Sequence, residues 1–138
     1  MLKTALLFVL ASSLAACSLF DGQPEYSGPD DYVYTLNVGC FCLATGPLRI
    51  TVRDGEVSDV ETLDAWRRDD PWYDDAVEDR SMTLVELEAL VRRARRTADD
   101  VEVEYDPTYG FPVSVSIDWY RDAVDDEIGY TVSDYTPL

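Results

Sequence analysis

Two cysteines separated by one residue, Cys40-Phe41-Cys42, are the side chains best equipped for chemistry. Such a pair can close a disulfide, hold a soft metal or cycle between redox states. In a regular strand residues i and i+2 share a face but stand about 6.6 Å apart, near the upper limit for bridged Cα atoms. A bridge therefore needs a bend, which Gly39 before the pair and Gly46-Pro47 after it allow. A redox thiol wants a nearby cation to lower its pKa. No Lys, Arg or His lies within six residues on either side. The surroundings favour a structural disulfide; two buried thiols, or a redox or metal role, are the alternatives.

Carboxylates are the second reactive group. Asp69, Asp70, Asp74, Asp75, Glu78 and Asp79 crowd one segment, and Asp122, Asp125, Asp126 and Glu127 another. Calcium takes about six to eight oxygens in set geometry, and neither run has the spacing of a calcium loop. A solvated acidic surface is the plain reading, with Asp122, Asp125, Asp126 and Glu127 kept as weak metal candidates. Burial could raise the pKa of Asp106 beside Tyr105, or of Asp118 beside Trp119, but nothing fixes a second carboxylate near either. Histidine is absent and Lys3 is the only lysine. Ser-His and Cys-His catalysis, His-ligated metals and P-loop chemistry fall away. No enzymatic activity and no cofactor are expected. A net charge of −17 argues against nucleic acid, whose phosphates need Lys and Arg.

The first residues carry an address. Lys3, the apolar run Leu6 to Leu10 and the small residues Ser12 to Ala16 have the order of an export signal. The run is too short to span a membrane, which takes about 20 apolar residues. Leu14-Ala15-Ala16-Cys17 resembles the lipobox of bacterial lipoproteins, in which the cysteine is acylated after cleavage before it. That resemblance implies a signal peptide over 1–16 and a lipid anchor on Cys17. It also implies an extracytoplasmic chain, with Ser18 permitting the outer membrane, facing the periplasm, where the cell has one. Residues 17–31 read as a flexible tether rich in Gly, Pro, Ser and acids.

The elements that must position these groups follow from periodicity. At 138 residues the chain holds one domain, expected over 32–138. Tyr32, Tyr34, Leu36 and Val38 alternate with Val33, Thr35 and Asn37, giving an apolar even face, and Leu48, Ile50 and Val52 alternate with Arg49, Thr51 and Arg53. Asp54-Gly55 is a two-residue hairpin turn leading to a third strand. Thr83 and Glu86 form a capping box for a helix over about Leu84 to Ala98, with Leu84, Leu87, Val91, Ala94 and Ala98 on one face. Arg92, Arg93, Arg95 and Arg96 crowd its last turns, either balancing the dipole or forming a basic patch for acidic partners or lipid head groups. Strands over 101–105 and 113–119 and a short sixth strand near Ile128 follow. The predicted fold is α+β, an antiparallel sheet of about five to six strands packed against one amphipathic helix, in the order βββ-α-ββ(β). Residues 63–80 are expected as a long acidic loop with at most one helical turn. Its Trp66, Trp72 and Tyr73, with Tyr109 and Phe111 of the Asp106–Pro112 turn, are candidate anchors for a partner, or cover for the sheet.

Three segments together resemble an uncharacterised bacterial lipoprotein family, a domain of unknown function. They are Cys40-Phe41-Cys42, Tyr105-Asp106-Pro107 with Tyr109-Gly110-Phe111-Pro112, and Asp125-Asp126-Glu127. That family implies an address and a fold but no mechanism. A weaker resemblance, to small periplasmic PepSY-type or inhibitor-like domains, rests on a helix followed by strands and departs in strand order. The expected role is binding or assembly at the cell envelope, with the membrane held through lipid and an envelope protein as partner. A small inhibitor of an envelope protein, or a calcium- or thiol-dependent module, are the alternatives.

Overall fold

The computed structural model describes residues 22–41, 46–64 and 71–138. Three strands come first, β1 (Tyr32–Cys40), β2 (Leu48–Arg53) and β3 (Glu56–Thr62). Two helices follow, α1 (Pro71–Arg80) and α2 (Leu84–Thr97), and then β4 (Asp100–Tyr105), β5 (Pro112–Asp118) and β6 (Ile128–Pro137). The strands form one sheet in the order β3-β2-β1-β6-β5-β4, and every neighbour is antiparallel. Two three-stranded meanders thus lie side by side, joined where the first strand meets the last.

One face of the sheet carries the core. Tyr32, Tyr34, Leu36 and Val38 of β1 lie beside Leu48, Ile50 and Val52 of β2, with Val115, Ile117, Tyr130 and Val132 from the other half. Leu84, Leu87, Val91 and Ala94 of α2 close over them. The opposite face follows the alternation to short polar groups such as Thr51, Ser116 and Thr131. Both outer strands are acidic, with Glu56, Asp59 and Glu61 on β3 and Asp100, Glu102 and Glu104 on β4. Like charges along a free edge discourage pairing with a second sheet.

The helix-to-sheet grip sits at the start of α2. Thr83 Oγ1 accepts from the Glu86 N–H at 3.1 Å, and the Glu86 carboxylate accepts from the Thr83 N–H at 2.7 Å. The next unpaired donor, the Leu84 N–H, is met by the Tyr32 hydroxyl at 3.0 Å. The Tyr34 hydroxyl donates to the Met82 carbonyl. One side chain of β1 therefore satisfies a donor that the helix cannot satisfy itself, and a second holds the residue before the cap.

Three expectations are corrected. The sheet is covered by two helices, in the order βββ-αα-βββ, and not by one. The segment expected as an acidic loop contains α1, which has no apolar stripe to betray it (PWYDDAVEDR). Its position comes from tertiary contacts: Tyr73 is buried with its hydroxyl 2.7 Å from Thr62 Oγ1, and Val77 one turn later packs on the core. The last strand is also not short; it has ten residues and lies between β1 and β5. Its register against β1 shifts between Val33 and Thr35, opposite Asp134 in the left-handed region at φ 53°. The extra residue reverses the alternation, so Tyr135 reaches the core face where simple parity would place Asp134. The Asp54-Gly55 turn is as predicted, with φ 52° and 77°.

Residues 23–31, read from sequence as the end of a tether, pack on the domain. The Tyr105 hydroxyl donates to Gln23 at 3.0 Å and the Ser27 N–H to the Tyr109 carbonyl at 2.8 Å. The Tyr26 N–H donates to Glu88 Oε2 at 3.1 Å. Glu88 is buried on α2, and its other oxygen meets Arg92. The Tyr26 ring stands 5.5 Å from that of Tyr32 and 6.5 Å from that of Tyr135. Asp31 then accepts from the Asp54 N–H at 2.8 Å, tying the segment to the first hairpin.

Three outcomes are expected. Tyr32→Phe leaves the Leu84 donor unpaired and costs about 1–3 kcal/mol in urea unfolding. Gly110→Ala loses more stability than Gly55→Ala: both glycines have φ near +78°, but only at Gly110 would a Cβ meet another atom, the Glu25 carbonyl oxygen at 2.5 Å. Limited proteolysis then cuts the 23–31 segment in the Gly110→Ala protein first. Burial holds the hydroxyls of Tyr32, Tyr34 and Tyr130 above their ordinary value of 10.0. The folded state therefore favours their neutral forms more strongly than the unfolded chain does. This contribution is complete below pH 10 and is lost as the pH rises above it. Denaturant melts from pH 8 to 11 should show stability falling only at the top of that range.

Candidate functional site

The last residues of β1 and the first of β6 lie in register, with Gly39 opposite Gly129 and Cys40 opposite Ile128. Ser116 of β5 continues the row beside Gly129. The facing glycines leave the backbone bare, and residues 119–127 arch beside it. The result is a groove of about 500 Å³ lined by Cys40, Phe41, Ser116, Val124, Asp125 and Glu127 among others.

Local hydrogen bonds shape the arch. Asp126 Oδ2 accepts from the Tyr120 N–H at 2.7 Å. The Ala123 N–H donates to the Tyr120 carbonyl at 2.7 Å. Asp99 reaches across from the end of α2 to take the Arg121 N–H at 2.8 Å. Asp125 sits at φ 75°, a turn that aspartate tolerates better than most residues. With its backbone tied inward, the arch turns Tyr120 and Val124 outward.

Phe41 is 84% exposed, Val124 85% and Tyr120 67%. These are the most exposed large apolar side chains among the described residues, and they occur at one end of the sheet. Carboxylates of Asp122, Asp125 and Glu127 surround them, all exposed. Apolar contact and a negative rim are what this surface offers, the chemistry of recognition.

The predicted site residues divide. Cys40 and the Asp125–Glu127 run, far apart in sequence, come together here. Cys40 is half-buried and is not without a partner; Cys42 and Cys17 lie outside the described residues. The four weak metal candidates do not converge: Asp126 gives one oxygen to the arch, and no three Asp, Glu or Cys side chains among the described residues group to hold a metal ion. Three candidate anchors belong to the packing instead. Tyr73 and Phe111 are both 3% exposed, and Tyr109 is half-buried with its ring 5.1 Å from Tyr135. Trp66 and the side chain of Trp72 lie outside the described residues.

Phe111 is inside because its turn is rigid. Asp106 Oδ1 accepts from the N–H groups of Thr108 and Tyr109 at 2.9 and 2.6 Å, and the Asp106 N–H donates to the Phe111 carbonyl at 2.8 Å. The turn presses Phe111 to 4.8 Å from Tyr135. It lies at the opposite end of the sheet from the groove. The exposed apolar side chains that sequence reasoning passed over carried one weak signal: Phe41 falls between Cys40 and Cys42, on the parity that points away from the core.

Neither a curated protein nor a solved structure matches the chain. A sequence profile does, over residues 25–137. Those limits begin in the packed segment before β1 and end with β6, so the matched region is the folded unit described above. The chain therefore belongs to that family, the family of unknown function DUF6174.

Proposed function

We propose that the protein is a lipid-anchored, extracytoplasmic binding domain that docks an envelope protein at the Phe41–Val124 groove. The observation that carries this reading is that the two most exposed large apolar side chains of the described residues, Phe41 and Val124, line one groove, with Tyr120 exposed in the same arch. Water-exposed apolar groups of this size, collected rather than scattered, mark interaction sites. The carboxylate rim favours a partner whose contact segment is apolar with Lys or Arg beside it. The anchor rests on Leu14-Ala15-Ala16-Cys17, and the periplasmic face of an outer membrane is its place where the cell has one. Stable attachment then comes from acyl chains contributing about 0.8 kcal/mol per buried methylene.

The same reading joins Cys40 to Cys42. Thiols outside the cytoplasm oxidise, and Cys17 is taken by lipid. A bridge across Phe41 would hold that ring outward at the mouth of the groove, giving the pair a structural part in docking.

Two measurements test this. Intact mass of the membrane-extracted protein, alkylated with and without reductant, should show lipid on Cys17 and two alkylations only after reduction. Two alkylations without reductant would refute the bridge, and an unmodified Cys17 the anchor. A photo-crosslinker at position 41 should capture a partner that one at Val85, an exposed site on α2, does not. Val124→Asp should abolish that product while changing stability by no more than about 0.5 kcal/mol. Equal capture from both positions would remove the docking role.

A further inference from the structure

The four arginines of α2 do not act as one patch. Arg92 is paired with buried Glu88. Arg95 lies over the Tyr105 ring, 6.0 Å from its centroid. Arg93 and Arg96 make no salt bridge among the described residues, in a chain with 28 acids. Both instead line a cavity of about 630 Å³ between the end of α1 and α2. Its apolar wall is Met82 and Leu90, both half-buried, and its base is Tyr130, only 8% exposed. Arg80, the last residue of α1, also acts on Tyr130: with Arg93 it draws the hydroxyl down against the upward push of burial. Asp79 and Glu86 line the cavity too. Glu86 is committed to the cap of α2.

Unpaired guanidinium groups beside an apolar wall have a definite complement. A guanidinium fork matches a carboxylate or phosphate, with two parallel hydrogen bonds. The wall would take a hydrocarbon body, and the volume falls within the range of about 300–1,000 Å³ usual for small ligands. We propose that the cavity between α1 and α2 binds an anionic amphiphile, its carboxylate or phosphate head held by Arg93 and Arg96 and its apolar chain lying on Met82, Leu90 and Tyr130. The site is separate from the Phe41–Val124 groove and does not depend on it.

Calorimetric titration of the purified full chain tests the site, with decanoate, decyl phosphate and inorganic phosphate as probes. Vesicles of phosphatidylglycerol, against vesicles of phosphatidylcholine, form a further arm. Saturable binding of decanoate or decyl phosphate identifies a soluble amphiphile. Binding confined to phosphatidylglycerol identifies the head group of a bilayer lipid. In either case the combined variant Arg93→Gln/Arg96→Gln should weaken binding about tenfold or more, while Arg49→Gln, on β2, leaves it unchanged. Both replaced side chains are exposed, so the variant should keep the circular dichroism of the parent. No binding in any arm overturns the proposal. So does inorganic phosphate binding as tightly as decyl phosphate, or an equal loss from Arg49→Gln.

Discussion

The contact between two tyrosines of β1 and the first turn of α2 sets the arrangement of everything else. A helix begins with backbone donors that have no partner inside it. Here the capping box meets part of that need, and the sheet meets the next part through the Tyr32 hydroxyl. Tyr34 holds the residue before the cap from the other side. Because the two hydroxyls sit two residues apart on one strand, they fix where α2 starts over the sheet. Leu84, Leu87, Val91 and Ala94 then fall on the core face in sequence. The end of α2 is placed as a result, and with it Asp99, the carboxylate that secures the arch beside the groove.

The same tyrosines organise the far end of the molecule. Tyr32 is in edge contact with Tyr26 and lies 5.6 Å from Tyr135, which in turn meets Tyr109 and Phe111. Aromatic pairs at such distances add to what burial alone supplies. This cluster fastens the segment before β1, and buried Glu88 completes the fastening. Its charge is tolerable because both oxygens are engaged, one by Arg92 and one by the Tyr26 N–H. One end of the sheet is thus devoted to closure. The other, with its bare glycine pair and outward apolar side chains, is left open to contact.

Much of the fold was legible, because burial on one face writes itself as alternation. The core residues of β1 and β2, the positive-φ turn at Asp54-Gly55 and the capping box of α2 all stand as local patterns of the chain. What was not legible lacks a local pattern. Helix α1 has no stripe; among the described residues, Tyr73 and Val77 carry its contact with the sheet and core. The bulge at Asp134 breaks the very alternation used to find strands. Exposure is a property of the assembled surface, so Phe111 and Phe41 could not be told apart by type: one is sealed by a turn closed on itself, the other stands at a strand end. Of the four arginines, only the packed structure separates those with partners from those without.

The place of β6 beside β1 bears on how the chain reaches its folded state. Its two central strands are the first and the last to be made, and neither meander has a complete core without the other. A chain delivered from its N-terminus can form the β1–β2–β3 meander early. It cannot bury Tyr32 and Tyr34 beneath their full cover until the final ten residues arrive. Contacts of such long sequence separation cost loop entropy before they return any burial, which slows folding. A polypeptide built this way stays loose until its last strand is made and locks only then, so the closing step of its folding is the docking of one strand between two halves.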